Sequence, residues 1–283
     1  QQRCERTCRE GELLSSLPPM PAALLATGHL RDACASGTSF NAAPLRRQIR
    51  LCEAAFGACD LFVHTWSTVD AATPRASHVQ GVAAGGASND SWPCVTQLRK
   101  ALRPISLQVE VQRAPAALTG TWGNSGTPHV GYLMNAHGVG AALDAMERHA
   151  RSMRIEYGAA VRLRLDVGAE RLQKIGGGNQ LNTDGWGFAR KWAARRDAGC
   201  APLFSCHPDK LPGGIAGDNC FWSAPPSALS RSLHALFDTY SALAADDARV
   251  TSCRRVRHPE TLLACAMASA DVCGRNLSAA RAL

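Results

Sequence analysis

At 283 residues, with 46% hydrophobic and 19% charged side chains, the chain is long enough for a substantial core and too apolar to be disordered. Its formal charge of +8 is diffuse: the densest basic clusters are Arg195-Arg196 and Arg254-Arg255 with Arg257. No nucleic-acid partner is therefore expected, and an anionic small substrate suits the basic balance equally well.

Twelve cysteines contain no Cys-x2-Cys pair, which argues against zinc ribbons and fingers and leaves only Cys200, Cys206 and His207 as a local zinc candidate. An even count instead fits disulfides and an oxidising compartment, although their connectivity cannot be read. The sequons Asn89-Asp90-Ser91 and Asn276-Leu277-Ser278 make Asn89 and Asn276 candidate glycosylation sites. Both observations lead us to expect the secretory pathway lumen, such as the Golgi, or the cell exterior. No apolar run approaches the length needed to span a bilayer, so no transmembrane segment is expected.

Residues 1–21 are polar, then proline-rich, and read as an arm pinned by Cys4 and Cys8. The remainder, 22–283, shows no clean linker and reads as a single α/β domain. Ala22-Ala23-Leu24-Leu25-Ala26-Thr27 is a short apolar run stopped by Gly28, hence a buried strand with His29, Arg31 and Asp32 at its carboxyl end. A helix follows, with Asn41 as cap, Pro44 in the first turn, Leu45, Ile49 and Cys52 on one face and Gly57 as the stop. Cys59 to Trp66 is a second strand, ending in His64-Thr65-Trp66. Residues 71–93 read as a surface loop. Ile105, Leu107, Val109 and Val111 alternate as a third strand, and residues 113–131 read as another loop.

A helix from about Gly138 to Tyr157 carries Val139, Leu143, Met146, Ala150 and Met153 as one stripe. It delivers the chain to Val161-Arg162-Leu163-Arg164-Leu165-Asp166-Val167. The strict alternation predicts a strand with four apolar residues inward and Arg162, Arg164 and Asp166 on its other face. That row suits a polyanion; an exposed sheet face with a cross-strand ion pair is the plainer alternative. Residues 173–187 lack the glycine spacing of a phosphate-binding fingerprint and read as a loop. Gly217-Asp218-Asn219-Cys220-Phe221-Trp222 leads into another strand, and helices follow with Leu229, Leu233, Leu236, Phe237 and Tyr240, and then from Pro259-Glu260. Strands alternating with helices predict a three-layer α/β/α fold with a largely parallel sheet.

No nucleophile signature is present. The polar clusters each have a structural explanation as well: His64 as a hydrogen-bonded core histidine, Trp66 as core, Glu260 in a first helical turn, Asp32 and Asp218 as caps. Their order is more informative. Gly28-His29-Leu30-Arg31-Asp32, Asp60 to Trp66, Arg162 to Asp166, Gly217 to Trp222 and His258-Pro259-Glu260 together resemble a group of nucleotide-sugar glycosyltransferase-like proteins of GT-A type, over about residues 22–270.

The resemblance implies that Gly28, His29, Arg31 and Asp32 lie against the nucleotide, with His64, Trp66, Arg162 and Arg164 as further donor-binding candidates. It implies that Asp166 is the last acidic position of an Asp-x-Asp-like element, reaching the donor diphosphate through Mn2+ or Mg2+. Asp218 and Glu260 match acidic positions near the acceptor, where a catalytic base is wanted. The sequence departs from the pattern at Arg164, where the element's first aspartate belongs. A guanidinium can neutralise a diphosphate directly, which puts metal dependence in doubt. The implied activity is transfer of a sugar from a nucleoside-diphosphate donor to a hydroxyl of a glycan or glycoprotein. A secreted binding or structural glycoprotein with the same fold but no catalysis is the alternative. A sulfotransferase would want a phosphate loop after the first strand, which Gly28-His29-Leu30-Arg31 fits poorly.

Overall fold

The structure, a computed structural model, describes residues 20–30, 34–35, 39–68, 92–111, 121–122, 127–165, 183–194, 203–205, 220–231, 234 and 274–276. Strand β1 is Ala22–Thr27, all six residues buried, as the apolar run predicts. After the short β2 (Cys34–Ala35) and β3 (Ser39–Phe40), helix α1 spans Ala43–Phe56. Its start and stop are chemical. Asn41 Oδ1 accepts from the Ala43 N–H at 3.1 Å, proline occupies the first turn, and Gly57 turns left-handed at φ 82° while its N–H bonds Glu53 O at 2.7 Å. The Cys52–Cys59 disulfide, Cα–Cα 5.8 Å, then ties the end of α1 to the start of β4 (Cys59–Thr68). Cys94 is also disulfide-bonded.

Helix α2 (Trp92–Leu102) starts inside the stretch expected to be loop and buries Cys94, Val95 and Leu98. Strand β5 is Ser106–Val111. Ile105 and Val111, expected on its buried face, are 48% and 53% exposed, and β5 is the sheet's edge strand. The pair β6 (Thr121–Trp122) and β7 (Thr127–Pro128) precedes α3, His129–Met153. This helix begins nine residues before the expected Gly138. Its buried stripe (Met134, Val139, Leu143, Met146) ends before Met153, which is 60% exposed.

Strand β8 (Ala159–Arg164) confirms the alternation on one face, where Val161, Leu163 and Leu165 are buried. Helix α4 (Thr183–Ala193) overlaps the stretch expected to be loop and buries Trp186, Ala189 and Trp192. The short strands β9 (Leu203–Ser205), β10 (Cys220–Ser223) and β11 (Gly274–Asn276) complete the described elements, with a helical turn at 227–231. The proposed arm lies outside the described residues except Met20 and Pro21, as do the regions expected to hold the last helices, apart from the start of the first.

The sheet order is β11-β9-β10-β8-β1-β4-β5. Within this sheet the ladders are parallel except those flanking β10, which runs against both neighbours, so the sheet is mixed and mostly parallel; β2 with β3 and β6 with β7 form separate antiparallel pairs. From β1 the chain moves outward through β4 to β5, then jumps back across β1 to β8. A right-handed crossover in the reversed direction puts α3 on the opposite face from α1. Accordingly Leu24, Leu61, Val63 and Val161 pack with α1, α2 and α4 on one side, whereas α3 covers β1, β4 and β5 on the other. Each fully buried leucine of these strands contributes about 1.5–3 kcal/mol of burial. On the α3 side Tyr157 donates to Asp60 Oδ2 at 2.6 Å, tying the entry to β8 to the start of β4. Burial, reinforced by that carboxylate, holds its phenol well above the usual range. Among the described residues, no helix is long and apolar enough to cross a membrane.

Candidate functional site

Two clusters share the carboxyl edge of the sheet. The first lies where the strand order reverses, between β1 and β8. Thr27 and Arg164 are register partners at the two strand ends, and the Leu165 N–H continues the ladder by donating to Thr27 O at 3.0 Å. One residue on, Gly28 adopts φ +114°, and a Cβ built there would meet nothing within 4 Å. This is a conformation that favours glycine, beside open space that lets another molecule approach the backbone. The chain is fixed on its other flank, where Gly28 N–H donates to His64 O at 3.2 Å and Thr65 Oγ1 donates to Gly28 O at 2.9 Å. His29 and Arg164 are half-buried.

Arg162 differs from Arg164. It is fully buried, and its Nε donates to Thr27 Oγ1 at 3.2 Å. The face expected to be open is therefore covered along most of β8, and only its last arginine reaches the edge.

The second cluster is built by β4, β5 and α3. His64 of β4 is fully buried, as is its neighbour Thr65, and Trp66 is nearly so. Glu110, from β5, sets Oε1 at 3.5 Å from His64 Nε2 and Oε2 at 2.8 Å from His137 Nε2 of α3. The first distance lacks hydrogen-bond geometry, so neither ring nitrogen of His64 has a hydrogen-bond partner. Gly138 explains how the helix comes so close: a Cβ there would sit 2.7 Å from His64 Nδ1. Trp66 stacks on His137 (centroids 5.7 Å, 29°), meets His64 edge-on at 4.7 Å, and lies 6.4 Å from His29. It thus joins the two clusters. Burial pushes the His64 imidazole down from 6.5 to about 4 against the opposing pull of the Glu110 carboxylate, so the ring is neutral at neutral pH.

Beside this cluster lies a pocket of about 410 Å³ lined by Gln108 and Glu110 of β5, residues of α3 from His137 to Arg148, and His234. In the amide orientation its neighbours dictate, Gln108 donates to Ala141 O at 3.2 Å and accepts from Arg148 Nη2 at 3.1 Å.

No family model, curated protein or solved structure matches the chain. Function has to come from the chemistry of this edge. Of the residues singled out in the sequence, Gly28, His29 and Arg164 come together at the strand-order reversal. His64, Trp66 and Arg162 sit behind them as buried supports. Arg31, Asp32, Asp166, Asp218, Glu260 and Asn89 lie outside the described residues, as do Cys200, Cys206 and His207, while Asn276 closes β11. Glu110 and His137 were not anticipated. Glu110 was visible only as the polar alternate of β5, and His137 immediately precedes the expected start of its helix.

Proposed function

We propose that the chain is a GT-A-type glycosyltransferase-like protein. It holds a nucleoside-diphosphate sugar at the carboxyl ends of β1 and β8 and passes the sugar to a hydroxyl of a glycan or glycoprotein in the secretory pathway. The observation that carries the reading is the reversal of strand order at β1/β8, the place where open α/β sheets bind ligands. An open glycine backbone and one half-buried guanidinium border it there.

In this reading Gly28 lets the nucleotide approach the backbone and His29 lies along it. Arg164, assisted by Arg31, stabilises negative charge that develops on the leaving diphosphate. Asp32 contacts the nucleotide, and Asp218 or Glu260 accepts the proton of the attacking acceptor hydroxyl. Arg164 supplies a fixed positive charge where a divalent ion would want a carboxylate, so a guanidinium meets the charge of the leaving diphosphate. Asp166 with waters would be the residue to hold either ion. Burial gives His64, Trp66 and Arg162 a different part from direct contact: they fix Gly28, His29 and Thr27 from beneath.

Thermal unfolding against a panel of nucleoside diphosphates and their sugars, with and without manganese, tests the reading. A ligand at a hundred times its Kd adds about 2.7 kcal/mol, enough for a rise of several degrees in Tm. Arg164→Ala should abolish the shift, measured against the variant's own unliganded Tm. A panel with no shift refutes donor binding. Binding without release of the sugar to water or acceptor leaves a non-catalytic binding protein.

A further inference from the structure

We propose that His64, Glu110 and His137 form a site for a zinc-class divalent cation, with one coordination position open to the pocket beside β5. The site does not rest on the donor reading, although the backbone of His64 also holds Gly28, and it includes neither Asp166 nor a cysteine. Its three ligand atoms come from β4, β5 and α3 and all lie within 4.8 Å of one another. Two ligands on a tetrahedral zinc with bonds of about 2.0–2.1 Å stand about 3.3 Å apart. The gaps at Glu110, 2.8 Å to His137 and 3.5 Å to His64, bracket that spacing, and the half-exposed side chains of Glu110 and His137 can adjust around the buried His64.

Glu110 and His137 alone would be an ordinary half-exposed ion pair. His64 makes the difference, because an imidazole fully buried without a hydrogen bond to either nitrogen has lost its water and gained nothing in return. A cation at Nε2 supplies the missing partner. The nitrogen is already aimed, because Nδ1 faces the Cβ-less surface of α3 at Gly138 while Nε2 faces Glu110. On the outer side Trp66 stacks on His137 and fixes the plane of its ring.

Two imidazoles and one carboxylate suit a borderline ion such as zinc, whereas Mg2+ and Ca2+ prefer oxygen alone. Three protein ligands leave a fourth position for water or a ligand, as in zinc sites that act on substrates. The side chains of Glu110 and His137 are 42% and 43% exposed, which gives the ion a way in from the pocket. There Arg148, bordering the same space, would attract an anionic group to the open position.

The test is calorimetric titration of the full-length protein with zinc chloride after dialysis against a chelator, paired with absorption of the cobalt-substituted form. A single equivalent should bind, and His137→Ala and Glu110→Gln should each weaken it about tenfold or more. Both side chains are half-exposed, so these variants keep the fold where His64→Ala would open a hole in the core. The cobalt spectrum should lack a thiolate charge-transfer band. No stoichiometric binding, undiminished binding by both variants, or a thiolate band would each overturn the site.

Discussion

Gly138 and Gly187 both lie inside helices, where replacing glycine by alanine ordinarily gains about 1 kcal/mol. Their surroundings oppose one another. A Cβ at 187 meets nothing within 4 Å, while one at 138 would press on His64 Nδ1 at 2.7 Å. The imidazole is fully buried and has nowhere to withdraw, so the overpacking cost of roughly 1–3 kcal/mol exceeds the gain in propensity. Urea unfolding should therefore show Gly187→Ala stabilised by up to about 1 kcal/mol and Gly138→Ala destabilised by about 1–2 kcal/mol. The same sign for both would mean that α3 does not press on His64. Residue-scale burial was the least readable part of the sequence. Alternation correctly put Arg162 opposite Val161 and Leu163, but it cannot say that this side of the strand is buried as well.

At the scale of elements, punctuation decided what could be read. Helix α1 has Asn41 one residue ahead of its Ala42 N-cap, an early proline and a left-handed Gly57, so its expected start lies one residue from the observed one and its expected stop coincides. Helices α2 and α3 are followed instead by arginines, Arg103 at φ 47° and Arg154 at φ 54°, where no glycine marks the stop. Helix α4 contains Gly185 and Gly187, which read as loop chemistry, and only the buried Trp186, Ala189 and Trp192 reveal its face. The Cys52–Cys59 bridge sits beside the best-marked of these ends and joins residues separated by seven positions. By chain-entropy arguments a loop this short contributes about 2.5 kcal/mol. Replacing both cysteines by alanine should lower the unfolding free energy by about 2 kcal/mol in a denaturant titration. Loss of less than about 0.5 kcal/mol would show that the Gly57 turn alone holds α1 against β4.

For the whole molecule, strand order was beyond sequence reasoning, because parallel pairing joins distant segments. Arg162 reaches Thr27 across 135 positions, and no local pattern encodes that neighbour. An α/β alternation was readable; the reversal at β1/β8 that brings Gly28 to Arg164 was not. Nor was the meeting of His64, Glu110 and His137, which requires two strands and a helix to be placed first. Net charge, by contrast, is a property of composition alone. With a formal +8, the protein should attract an anionic nucleotide from a distance. Stopped-flow association of a nucleoside diphosphate should slow several-fold from low to high ionic strength, with a much smaller change in dissociation. An association rate insensitive to salt would mean that the basic residues are too dispersed to steer.

Trp66 occupies the seam between His29 and His137, within ring-contact range of both. Indole emission responds to the charge and rigidity of whatever lies against it, and here the two neighbours belong to different clusters. Of the six tryptophans in the chain, this one is an unlabelled optical reporter already in position, sensitive to events at either end of the edge.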